Sequence, residues 1–159
     1  MNSKAEVELL MNEMVPFAKQ MLVEYGEFIP FGCFSNRDGT IVHVGGQGTG
    51  EELSNQDIAA LLEADFRESA RREEIRASAL VCDVKLRNAA DGSSSDAIQI
   101  NLDHVDGYSA EVFYPYQLNA ECGNVVFDSI VAQEGHYRIF NSDNSSESLT
   151  RDDDGAESK

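Results

Sequence analysis

Between Leu80 and Val131 the chain alternates apolar and polar residues at period two in three successive runs, and this pattern narrows its possible folds most. In the first run Leu80, Cys82, Val84 and Leu86 share one parity, with Asp83, Lys85 and Arg87 on the other. In the second, Ile98, Ile100 and Leu102 alternate with Gln99, Asn101 and Asp103. In the third, Tyr108, Ala110, Val112, Tyr114 and Tyr116 share a face. A side-chain period of two belongs to a strand with one face on a core. Asp106-Gly107 separates the second run from the third, and a tight hairpin needs the positive φ that Asp-Gly tolerates. Val125–Val131 reads as a further strand, and His136–Phe140 as a short added one.

The first third of the chain reads differently. Ser3-x-x-Glu6 has the form of a capping box opening a helix. Val7, Met11, Met14, Ala18, Met21 and Tyr25 then recur at helical spacing, and Gly26 suits the helix stop. Pro16 inside this pattern predicts a kink or two abutting helices. Glu27–Ser35 and Thr40–Val44 read as strands joined by a turn at Asn36-Arg37-Asp38-Gly39. After a glycine-rich connector at 45–50, Ser54-x-x-Asp57 opens a second helix extending to about Arg76, with Ile58, Leu61, Leu62 and Phe66 on its apolar face. Glu63–Arg67 and Glu68–Arg72 are spaced as favourable pairs along it.

The order α-β-β-α-β-β-β-β with short connections predicts an α+β domain. Its antiparallel sheet has five to six strands, with two main helices packed on one face. In outline this resembles the roadblock/profilin-like architecture. Residues 1–140 form the expected single domain. From Asn141 to Lys159 the composition is mostly Ser, Asp, Glu and Asn, which predicts a disordered acidic tail.

The 159 residues carry 29 Asp and Glu against 12 Lys and Arg, a formal net charge of −17, of which the tail holds four units. Nucleic acids and anionic membranes draw proteins by excess cations, so both are excluded as expected partners. The N-terminus lacks the basic and apolar regions of a secretory signal, which predicts a cytoplasmic protein with reduced thiols. Cys33 and Cys82 fall on strand positions and read as core; Cys122 falls in a loop.

No motif for a cofactor, a metal or a catalytic triad emerges. Gly45–Gly50 has phosphate-loop spacing, but Glu51-Glu52 stands where Lys-Ser/Thr would bind phosphate. Asp103-His104-x-Asp106 offers metal-ligating groups, yet the hairpin at Asp106-Gly107 accounts for them. Two surface features remain. Residues 67–87 are locally basic, with Arg71 and Arg72 as candidate contact residues. Phe31, Phe113, Tyr114 and Tyr116 put aromatic groups on both sheet faces, and an uncovered aromatic patch marks an interface.

The segments Glu24-Tyr25-Gly26-Glu27-Phe28-x-Pro30-Phe31-Gly32, Asp38-Gly39, Asp106-Gly107-Tyr108 and Phe113-Tyr114-Pro115-Tyr116 resemble a small family of uncharacterised bacterial single-domain proteins, over about residues 15–140. That resemblance implies a bacterial cytosolic origin and attaches no activity. The functional expectation is a non-enzymatic protein-interaction domain, in concrete form an acidic inhibitor or immunity-type protein for a basic partner. The alternatives are a small-molecule-binding or enzymatic domain with a pocket between sheet and helices, and a homodimeric scaffold.

Overall fold

The computed structural model describes residues 2–45, 53–87, 90–119, 121 and 123–140, with the backbone of 156–158. The chain is an α+β protein with two helices packed on an antiparallel sheet. Helix α1 (Ser3–Tyr25) runs unbroken through Pro16, so the abutting-helix alternative does not occur. Its cap is Asn2, whose side chain accepts from Ala5 N at 2.8 Å, and not Ser3 as the capping box suggested. Glu6 is engaged elsewhere. Its carboxylate meets His104 Nε2 and Arg76 Nη2, both at 2.5 Å. The buried stripe is Val7, Leu10, Met14, Ala18 and Leu22, while Tyr25 is exposed.

Strands β1 (Phe31–Asn36) and β2 (Ile41–Gly45) form the first hairpin. Helix α2 (Asn55–Arg71) is capped by the Ser54 hydroxyl, which accepts from Asp57 N at 3.0 Å. It stops short of the expected Arg76, since Glu73 adopts a positive φ of 60° and β3 (Ile75–Arg87) begins two residues later. Strands β4 (Ser94–His104) and β5 (Tyr108–Asn119) complete a meander. Gly39 and Gly107, at φ 92° and 94°, supply the left-handed conformation at the two hairpin turns.

The strand order is β2-β1-β3-β4-β5, and the outer edge of β5 carries both β6 (Asn124–Phe127) and β7 (Val131–Glu134). Sequence alternation predicted one strand over Val125–Val131. Pro115 explains the split. Its carbonyl accepts from Asp128 N at 2.8 Å, so its main-chain groups face this edge, where the missing N–H interrupts the ladder. Residues 136–140 form no strand. Of the expected tail, only β8 (Ala156–Ser158) is described, paired antiparallel with Val84–Leu86. The connector at 46–52 and Cys122 lie outside the described residues.

The helices do not share a face, as the sequence reading expected. Ala77, Ala79 and Val81 of β3 join the core under α1. Leu80, Cys82 and Val84 join a separate core under α2, with Ile58, Leu62 and Phe66. Alternate residues of one strand point to opposite sides, so the helices flank the sheet. Cys33 and Cys82 are buried core thiols, one on each side.

Double coverage also buries Asp83, which the sequence pattern placed on a solvent face. It is 1% exposed and faces the α1 core. The Tyr116 hydroxyl donates to its Oδ1 at 2.7 Å. Burial, and then this acidic neighbour, raises the Tyr116 pKa. Tyr116→Phe removes a hydroxyl donor from a buried carboxylate, at an expected cost of about 1–3 kcal/mol. A urea midpoint equal to wild type would show that the bond contributes nothing.

Candidate functional site

The face opposite α1 is only half covered by α2. Over β4 and β5, residues 135–140 form an irregular strap that turns at Tyr137, where φ is 55°. Gly135 N donates to Ser109 O at 3.0 Å, and Tyr137 N donates to Ser109 Oγ at 3.1 Å. Arg67 of α2 donates from Nε to Arg138 O at 2.9 Å, and Ile139 is buried against the α2 core. A methyl group at Gly135 would stand 2.2 Å from Ser109 Oγ and 2.8 Å from Ala110 N. Only glycine lets the strap lie this close.

Beneath the strap is a chamber bounded by α2, β3, β4 and β5. Its polar lining follows from register. Asp103 pairs with Ser109 across the β4–β5 ladder, and Asn101 pairs with Glu111. These positions have the parity opposite to the Ile98, Ile100 and Leu102 side chains of the α1 core. Glu63 enters from α2, and His136 and Arg138 enter from the strap.

The three carboxylates of the chamber have partners. Glu111 is 6% exposed, accepts from Gln133 Nε2 at 2.9 Å and lies 3.1 Å from His136 Nε2. Glu63 meets Arg67 and lies 3.7 Å from Arg138 Nη1. Asp103 shares a hydrogen bond with Ser109. Burial raises the Asp103 pKa to about 7, the neighbouring Glu63 and Glu111 push the same way, and Ser109 and Arg138 oppose it. A carboxyl group tuned to neutrality beside a Glu–His pair is the most chemically distinctive arrangement in the described chain.

The space limits what this chemistry serves. About 20 Å³ is free, enough for a buried water and far below a metabolite pocket. Among the described residues no three His, Cys, Asp or Glu are grouped to hold a metal ion.

A second polar cluster lies on the α1 side at the β4–β5 turn. His104 is 2% exposed, and its Nδ1 accepts from Asp106 N at 3.0 Å. That leaves Nε2–H to donate to Glu6. Burial opposes ionisation of Glu6, but the His104 bond and the Arg76 charge together lower its pKa. The Asp103-His104-x-Asp106 motif is thus divided. Asp103 and His104 point to opposite faces, and the backbone of Asp106 serves the turn.

Phe31, Phe113, Tyr114 and Tyr116 are 9, 6, 9 and 3% exposed, so the expected aromatic contact surface is corrected to core. A sheet covered on both sides accommodates aromatics of either parity. Arg71 and Arg72 are exposed at the end of α2, and both pair with Glu68. The chamber residues escaped sequence reasoning because they lie on four elements and the strap. The polar parity of Asn101, Asp103 and Glu111 was visible, but it read as solvent-facing.

No protein-family model, curated protein or solved structure matches the chain. No described helix is long and apolar enough to cross a membrane.

Two measurements probe the site. Gly135→Ala displaces the strap and should cost about 1–3 kcal/mol in denaturant unfolding. Unchanged stability would mean that the strap is not held against Ser109. Asp103 has a folded pKa above its unfolded value. Its stabilising contribution is therefore full below the unfolded pKa, near 4, and is lost as pH rises through about 7. Asp103→Asn removes that loss. The variant's melting temperature should exceed wild type by a margin that widens from about pH 4 to about pH 8. A margin independent of pH would refute the assignment.

Proposed function

We propose that this chain is a non-enzymatic protein-contact domain whose acidic surface receives a basic partner protein, in the manner of an inhibitor or immunity-type protein. One observation carries the reading. Lys4, Arg37, Arg67, Arg71, Arg72, Arg76, Lys85 and Arg138 each lie within 4 Å of a carboxylate of their own chain. Cations are thereby largely committed internally, and the surplus of −17 is left as carboxylate for a partner to meet. Within the basic stretch at 67–87, the four arginines at 67, 71, 72 and 76 are absorbed in this way.

The outer side of α1 supplies a suitable surface. Leu9, Phe17 and Val23 of α1 are 48, 47 and 44% exposed, with Phe17 edge-on to His43 of β2, and Glu13 and Glu24 are exposed on the same helix. Exposed apolar groups among acids suit a basic protein surface with its own apolar centre. The small free volume beneath the strap weighs against a metabolite held there. Like charge on two copies weighs against a homodimer.

The test is capture on the immobilised full-length chain at low and moderate salt, with each recovered protein identified and its association rate measured. Basic proteins should dominate, and the rate should fall about tenfold between the two conditions. Glu13→Lys with Glu24→Lys should slow association with little change in stability. Recovery of neutral or acidic proteins only, or rates indifferent to salt and to both substitutions, would overturn the proposal.

A further inference from the structure

β1 accompanies β3 only as far as the Phe31–Val81 pair. Beyond it the same edge of β3 continues through Val84, Lys85 and Leu86, where β8 is paired. The chain therefore shows that this half-edge accepts an extended antiparallel segment. The register also states what chemistry it accepts. Glu157 stands opposite Lys85, with Ala156 opposite Leu86 and Ser158 opposite Val84. Past Leu86 the edge runs on to Arg87, the last residue of β3. There a polar cleft is lined by Lys85, Leu86, Arg87, Gly92 and Ser94. In sequence, the residues immediately before Gly155 are Asp152-Asp153-Asp154.

We propose that the β3 edge from Val84 to Arg87 is a docking site for an extended acidic segment of a partner protein, with β8 as its occupant in cis. Main-chain pairing gives the affinity, and the two cations at Lys85 and Arg87 select acidic residues at the opposing and preceding positions. Lys85 also lies 3.4 Å from Asp96 of β4, so an incoming carboxylate competes with or shares that pair. Three paired residues hold β8, a short ladder that another strand can replace. β8 belongs to the same chain and so competes at high local concentration, masking the edge until a stronger segment arrives. A second copy of this chain is the less suitable occupant, because each copy carries −17. This edge is separate from the acidic surface of α1 proposed above.

The probe is a fluorescein-labelled peptide with the sequence of residues 150–159. It is titrated into the full-length chain and into the full-length double variant Ala156→Pro/Glu157→Pro. The two prolines remove main-chain donors in both phases of the β8 ladder and vacate the edge. Circular dichroism should be unchanged, since β8 lies at the periphery. The peptide should bind the double variant at least about tenfold more tightly than wild type, and Lys85→Glu in that background should abolish binding. Equal affinity for wild type and double variant, no binding to either, or binding that survives Lys85→Glu would overturn the proposal. A dimer mass in light scattering of the double variant would assign the edge to a second copy, and would overturn the partner assignment.

Discussion

β3 satisfies two apolar cores at once, and the other layers depend on that. Its odd residues Ala77, Ala79 and Val81 meet α1, and its even residues Leu80, Cys82 and Val84 meet α2. Small side chains on the α1 parity let a 23-residue helix lie close to the sheet. Covering both faces removes solvent from every position of the strand as far as Val84 except Arg76, including Asp83. A buried carboxylate is costly unless its oxygens are hydrogen-bonded, so the tyrosine at 116 is tied to the aspartate at 83.

The uneven length of the two helices sets the second feature. α1 packs across β1, β3, β4, β5 and β6, whereas α2 packs mainly on β1 and β3. The rest of the α2 face is closed by main chain at 135–140, not by a helix. A strap brings its own N–H groups to the sheet and needs acceptors, which Ser109 provides from both its carbonyl and its hydroxyl. Its Ile139 and Phe140 join the α2 core, while His136 and Arg138 enter the space below it. The raised pKa of Asp103 follows from this architecture, because the carboxyl group is buried without a direct cationic contact.

Charge is organised more than the net value suggests. Arginines on α2 and β3 are spent on fastening elements together: Arg67 joins α2 to the strap, and Arg76 joins β3 to α1. Each of these arginines stands beside a carboxylate of its own chain, so the basic stretch at 67–87 is less distinct in space than in sequence. The β3 edge beyond Val81 is paired with β8, where Glu157 falls opposite Lys85 in register.

Element types were legible because they follow from local rules. Period two marked β3, β4 and β5, the 3.6-residue period marked α1 and α2, and Asp-Gly marked the hairpin turns. Residue parity also identified which side chains share a face. It did not say what covers that face, because a strand buried on two sides and one buried on a single side differ only in partners distant in sequence. The helix placement, the burial of Asp83 and the four aromatics, and the gathering of Glu63, Asp103, Glu111 and His136 were therefore decided by the tertiary structure. Glu6 makes the same point in one residue. Local spacing assigned it to a helix cap, and packing gave it instead to His104 and Arg76, since a buried imidazole and a half-exposed guanidinium together hold a carboxylate more strongly than one backbone N–H.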